Sequence, residues 1–336
     1  MRAQSATATI TGAVTVAGGV FAPGHLGELT QYLPFELVDD VLEQTRTVQR
    51  RLRLLPSRAG VYFVLALGLF PRLGYSRVWG KLTGGLAGLD LPCPSEKALR
   101  DLRRRLGPAP LKALFEVVAG PLAWPRTPGT RFCGLRTVAF DGCNSVKVAD
   151  TAGNRSWIGK VRCRLGEAGY PALRLMALAE TGTRGLLGVA VGTAADRDEA
   201  TLARRLLHLL GAGMLVLADR AFDSNLFLGQ AAATGADLLI RVKCSRTLPV
   251  AARLPDGSYL SCAGGLAVRV IDAVLAVAGA DGSTAGDRYR LITTLTDHRR
   301  YPATALAGLY HERWVRHEVA WSEWNSQKED RLMLVT

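Results

Sequence analysis

Two short apolar runs that each end on an aspartate constrain this chain more than any other feature. One is Val138, Ala139, Phe140 and Asp141, led in by Arg136 and Thr137 and followed by Gly142. The other is Met214, Leu215, Val216, Leu217, Ala218 and Asp219. Asp is poor inside strands, and an ionised carboxylate in an apolar setting must be paired, solvated or bound to a metal. Each acid therefore either starts a turn or belongs to a site, and Asp141-Gly142 taken alone reads as an ordinary turn dipeptide. The spacing predicts a strand that closes at Asp141, with Ser145 to Val148 as its hairpin return. Strands over Leu173 to Ala179 and Leu186 to Val191 follow. Asp198, Glu199 and Thr201 open an amphipathic helix through Leu210. The second aspartate-ended strand, a helix over Ser224 to Thr234 and a strand over Asp237 to Val242 complete a mixed α/β sheet with helices packed on it.

If the two aspartate-bearing strands are neighbours, both acids stand at the sheet edge where open α/β sheets place their ligands. Two close carboxylates repel, and one pKa rises unless a cation neutralises them. Their hard oxygens suit Mg²⁺ or Mn²⁺, which keep positions for water and substrate phosphate. Two such ions activate a water or a 3′-hydroxyl against a phosphodiester.

The 336 residues carry a formal charge of +13, and residues 1–136 hold 18 Lys and Arg against 9 Asp and Glu. Most of the excess thus lies where the pattern is helical, from Leu26 to about Leu122. Ser95 opens a helix from Glu96 to Leu106 in which Leu99, Leu102 and Leu106 point inward. Arg100, Arg103 and Arg104 share its outer face. Such a stripe grips DNA phosphates through its forked guanidinium groups, or is simply a solvated helix face; both readings stay open. Val61 to Phe70 is about half the roughly 20 residues a membrane span needs, so no membrane partner is expected. Six cysteines without CxxC spacing read as reduced thiols of a cytoplasmic protein.

On these residues the chain resembles the DDE transposases of the insertion sequence four family. Phe140-Asp141-Gly142 is similar to the family's first acid, and Leu217-Ala218-Asp219-Arg220-Ala221-Phe222 to its second. Gly27-Glu28-Leu29, Ser76-Arg77-Val78-Trp79 and Arg104-Arg105-Leu106-Gly107-Pro108 resemble its N-terminal domain. The resemblance implies an all-α, DNA-binding N-terminal domain (25–125) after a poorly ordered start (1–24), then an RNase H-like core (130–243). A β-rich insertion (244–296) precedes a last, incomplete core helix (297–336). Leu248 to Leu254, Tyr259 to Cys262, Leu266 to Val270, Ala273 to Val277 and Tyr289 to Leu295 are short β-like runs that fit the insertion. Asp256-Gly257 and Asp281-Gly282 are turn signals between them.

The resemblance also implies cut-and-paste movement of a bacterial element. The enzyme would cleave terminal inverted repeats and join them to target DNA, as a homodimer associated with the nucleoid. Tyr310 and Arg313 would position the DNA strand; otherwise they are helix-surface residues. The family's third acid falls at His317 here, with Glu318 one residue late, and its lysine falls at Trp324. One step along a helix turns a side chain by about 100°, so Glu318 aims elsewhere than position 317. A frameshift or truncation after Trp314 is the preferred reading. The alternative is a variant in which Glu318, or else Glu312, supplies the third acid beside Asp141 and Asp219. Two rival functions remain: a metal-dependent nuclease of the same fold, and an inactive DNA-binding remnant. Asp150, Asp196 and Asp198 read as caps or turns. Arg220 and Lys243 read as DNA contacts or as partners of Asp223 or Asp237.

Overall fold

A computed structural model of the chain describes residues 26–51, 54–86, 91–164, 166–196, 198–278 and 284–312. The chain divides into two compact units, the first ending at Val118 and the second starting at Ala119.

The first unit is helical: α1 (Leu26–Tyr32), α2 (Phe35–Gln44), α3 (Ser57–Leu69), α4 (Tyr75–Thr83), α5 (Glu96–Leu106) and α6 (Ala109–Val118). Its core gathers Val38, Val41 and Leu42 of α2 with Tyr62 and Phe63 of α3, Val78 of α4, and Leu99, Leu102 and Leu106 of α5. The apolar stripe of α5 is therefore the predicted one. Ser95 caps this helix, its Oγ accepting from Ala98 N–H at 3.2 Å. The first unit stops at Val118 rather than at 125. Gly120 N–H donates to Leu186 O, and Ala123 N–H donates to the Glu180 carboxylate, so the intervening stretch is held by the second unit's sheet.

The second unit is built on one ten-stranded sheet. Its elements are β1 (Arg131–Phe132), β2 (Leu135–Lys147), α7 (Ala152–Trp157), β3 (Arg162–Cys163), β4 (Gly166–Glu167), β5 (Ala172–Glu180) and β6 (Leu186–Gly192). Next come α8 (Glu199–Arg204), β7 (Met214–Ala218), α9 (Asn225–Ala232), β8 (Asp237–Val242), β9 (Ala252–Arg253), β10 (Tyr259–Ala263), β11 (Leu266–Ala278) and β12 (Thr284–Thr293). A last helix, α10, covers 303–312 of the described residues. The strand order is β6-β5-β2-β7-β8-β12-β11-β10-β9, with β1 beside β2 and a separate β3–β4 hairpin. β2, β7 and β8 run parallel, and the remaining ladders are antiparallel. This mixed sheet, preceded by an all-α region, is the RNase H-like α/β architecture the sequence predicts.

Three expectations need correction. β2 does not close at Asp141 but runs on to Lys147, and Ser145 to Val148 is not a hairpin return. Its partner throughout is β5, with a register shift between Cys143 and Val146. That continuous antiparallel pairing holds the acid and its glycine inside a strand. The segment 244–296 is β-rich, as the expected insertion is, and carries β9 to β12. β12 pairs directly with β8, Ile292 opposite Ile240, so the insertion extends the main sheet. Finally, the two predicted runs 266–270 and 273–277 are one strand, β11. The Asp281-Gly282 turn signal lies outside the described residues. Where β10 meets β11, Gly264 and Gly265 both have positive φ, 59° and 86°, which a two-residue hairpin requires.

Alternating residues of the central strands feed two cores. Val138, Phe140, Val216, Ala218, Leu238 and Ile240 face one side, under α8 and α9. Ala139, Leu215, Leu217 and Leu239 face the other, beneath Ala303, Leu306, Ala307 and Tyr310 of α10. Both faces of the parallel strands are thus buried, as their unbroken apolar runs require.

Candidate active site

The parallel ladder between β2 and β7 pairs Arg136 with Met214 and Ala139 with Leu217. Continuing that register by two residues sets Asp141 beside Asp219, one strand spacing or roughly 4.8 Å apart at the backbone. Because side chains alternate, both acids project to the face of Ala139 and Leu217, the face covered by α10. Both are half-buried. Asp219 has extended backbone and caps the turn that follows, its Oδ1 accepting from Ala221 N–H at 2.8 Å.

The residues flanking the acids explain the geometry. Phe140 and Phe222 point to the opposite face and stack, with centroids 5.7 Å apart and planes 28° from parallel. Phe227 closes the trio at 5.9 Å and 5.1 Å. All three rings are buried. The aromatic three residues after Asp219 therefore fastens the end of β7 to the strand carrying Asp141. Gly142 meets a different constraint: a Cβ there would stand 2.7 Å from Oε1 of Glu199. The glycine admits the first turn of α8 against the strand just beyond Asp141. Glu199 lies on the far face from the two acids.

One strand further on, the ladder of Ala218 with Ile240 brings Arg241 level with Asp219 on the same face. Its guanidinium stands 4.0 Å from the centroid of Tyr289, which packs edge-on against Tyr310. A row of Asp141, Asp219 and Arg241 thus crosses three parallel strands. Sequence reading did not single out Arg241; the apolar strand that ends beside it was the available signal.

Tyr310 is fully buried. It completes the stripe Ala303, Leu306, Ala307 and Tyr310 with which α10 grips the sheet. The helix-surface reading of this residue is corrected: its ring is packed in the core between α10 and the sheet. Arg313 and Glu318 lie outside the described residues, as do His317 and Trp324. Arg100, Arg103 and Arg104 are exposed on α5 as predicted, with Arg103 over the Tyr75 ring at 5.6 Å. Among the described residues no group of three or more His, Cys, Asp or Glu side chains is arranged to hold a metal.

Of the other acids, Asp198 is the cap expected and Asp196 accepts from Thr193 N–H in a turn, whereas Asp150 is held in ion pairs and Asp223 by Arg246 instead of the Arg220 or Lys243 side chains. Asp198 caps α8 through Thr201 N–H, Asp196 pairs with Arg205, and Asp150 pairs with Lys160 and Arg155. Asp223 is held by Arg246 and by Lys243 N–H, whereas Asp237 accepts from Thr294 Oγ1. No helix among the described residues is long and apolar enough to cross a membrane.

A mixed sheet with two acids abreast on neighbouring parallel strands, one within β2 and one just past β7, is the mark of the RNase H-like DDE proteins. The family described as "Transposase DDE domain" matches residues 135–332, and "Insertion element 4 transposase N-terminal" matches residues 23–116. The chain belongs to the DDE transposases of the insertion sequence four family. The first match runs past Trp314, where the spacing departs from the family's signature. "Transposase InsG for insertion sequence element IS4" of Escherichia coli K12 is 26% identical over 301 residues, covering 86% of this chain and 66% of that protein. "Putative transposase InsZ" of the same organism is 27% identical over 196 residues, covering 58% and 64%. The chain thus spans about two thirds of the length of these relatives.

Proposed function

We propose that this chain is a transposase that cuts DNA at the ends of an insertion sequence and joins the freed 3′-hydroxyls to target DNA. The observation that carries this reading is the register setting Asp141 and Asp219 side by side on one face. Two carboxylates so placed offer the hard, anionic oxygens that Mg²⁺ or Mn²⁺ prefers, and two ions are the proposed complement. Such ions, when bound, make a water or hydroxyl nucleophilic and stabilise the leaving oxygen. The protein's own part is to fix both carboxylates through the buried Phe140–Phe222 stack and to exclude disorder at the strand ends. Glu318 is proposed as the third acid. In support, α10 begins near Leu295 and Tyr301, at the edge opposite the acids, and Tyr310 packs on Tyr289 near the acid edge. The helix therefore runs toward Asp141 and Asp219.

Arg100, Arg103 and Arg104 are proposed to hold DNA phosphates, and Arg313 to hold the strand near the cut. Joining two element ends calls for two active sites, so the acting species is proposed as a homodimer working on the bacterial nucleoid.

Asp141→Asn and Asp219→Asn each should lower Mg²⁺-dependent end cleavage by at least about a hundredfold, since several kcal/mol of charge stabilisation is lost. Calorimetric titration of Mn²⁺ should weaken in parallel, with circular dichroism unchanged. Undiminished cleavage by either variant would overturn the assignment.

A further inference from the structure

Between β2 and β5 the chain makes an excursion, residues 148–171, that leaves the sheet at the end of β2, six residues beyond Asp141. Local bonds hold its described residues. Thr151 caps α7 by accepting from Asn154 N–H, and Asn154 Nδ2 donates to Ala149 O at 2.9 Å. Asp150 pairs with Lys160 and Arg155. Ile158 is buried, and its carbonyl accepts from Ala194 N–H at 2.8 Å. Ala194 opens the turn that leads to Glu199, whose carboxylate lies against Gly142, next to Asp141. α7 is thereby tied to the turn that follows β6, at the end of the sheet toward which β2 runs past Asp141.

On this support the aromatic side chains are turned out. Trp157 is 66% exposed and Tyr170 57%. Lys147, Arg162 and Arg164 are exposed beside them in sequence, against the exposed carboxylate of Glu167. A rigid indole offered to solvent costs apolar surface that a neutral loop would hide. Flanked by cations, it has the composition of a platform for stacking a nucleobase while the backbone is held electrostatically. Bases inside a duplex are already stacked on one another, so an exposed indole engages a base only where a strand is unpaired.

We infer that α7 and the β3–β4 hairpin form a ledge that binds unpaired DNA next to the site of cutting, Trp157 stacking on a base and Arg162 and Arg164 on phosphates. This rests on the DNA-processing reading above, and it assigns Trp157 a positioning role outside the acidic site.

The test measures binding of the full chain to a labelled single-stranded oligonucleotide and to its duplex, by fluorescence anisotropy with EDTA present. Trp157→Ala should weaken single-strand binding about tenfold, and Trp157→Phe should restore most of it. Duplex affinity should stay within about twofold. Arg162→Gln with Arg164→Gln should lower the salt slope of single-strand binding by about 1.4, the release expected for two phosphates. Unchanged single-strand affinity in Trp157→Ala would overturn the ledge, as would absence of single-strand binding by the parent chain. Self-association of the parent that Trp157→Ala abolishes would instead assign the patch to a second copy and also overturn it. Because metal is chelated, the result is independent of Asp141 and Asp219. If Asp141→Asn leaves cleavage intact, the metal assignment fails while the ledge measurement stands.

Discussion

Single side chains do two separable jobs around the acid pair. Phe222 never reaches the face on which Asp219 stands, yet its stack on Phe140 aligns the two strand ends. Phe222→Ala should cost about 3–5 kcal/mol in urea unfolding, and should lower cleavage more than Mn²⁺-independent DNA binding. A second anchor joins the β10–β11 hairpin to α10. Arg269 is fully buried and donates to Ser258 Oγ at 2.8 Å, to Tyr301 O at 2.6 Å and to the Asp256 carboxylate. Asp256 also accepts from Ala303 N–H at 3.1 Å, in the first turn of α10. Burial works to raise the Asp256 pKa; hydrogen bonds from Ser258 and Ala303 and the Arg269 charge outweigh it, so the carboxyl titrates below its ordinary value. A depressed carboxyl pKa contributes stability that is present above the unfolded value, about 3.9, and is lost as pH falls through the folded one. Asp256→Ala should cost about 3 kcal/mol, at the low end for a buried pair because Tyr301 and Ser258 still accept from Arg269. Unfolding below about pH 4 should become less pH-dependent in the variant, read by circular dichroism.

Among the elements, α5 and β2 show how far local pattern reaches. For α5 the stripe, the cap and the exposed arginines were all legible, because a 3.6-residue period and a Ser before Glu are local signals. Ser95→Ala should lower thermal stability by about 1 kcal/mol. Arg100→Gln with Arg104→Gln should reduce the salt slope of duplex binding by about 1.8 if both touch phosphate. An unchanged slope would return the stripe to a solvated face. β2 went differently. Asp-Gly is a common turn pair, yet the strand continues for six residues beyond Asp141 because β5 pairs with it almost to Lys147. Pairing with a strand thirty residues on leaves no trace in the local spacing.

For the whole molecule, the placement of β12 matters most. The apolar runs after Val242 read as a β-rich insertion whose partners the spacing leaves open, whereas β12 lies against β8 at the centre of a ten-stranded sheet. Deleting residues 244–296 should therefore leave no folded core. Removing β12 strips Ile240 and Leu239 of their lateral cover and bares an apolar edge. The deletion variant should aggregate, and a monodisperse, cooperatively melting product would contradict this account.

The sequence by itself determined that two apolar strand-forming runs each lead into a carboxylate, that a basic helical region precedes them, and that the residues around Asp141 and Asp219 resemble one family. Strand character, helix period and motif are properties of neighbours along the chain, so they survive without coordinates. Only the tertiary structure decided that the acids lie abreast on one face, that Phe140 and Phe222 lock them from the other, and that Arg241 completes their row. It alone buried Tyr310 and merged the insertion with the main sheet. Each of these depends on which strands pair and in what register, and residues 78 positions apart, as Asp141 and Asp219 are, leave no local periodicity that records their pairing.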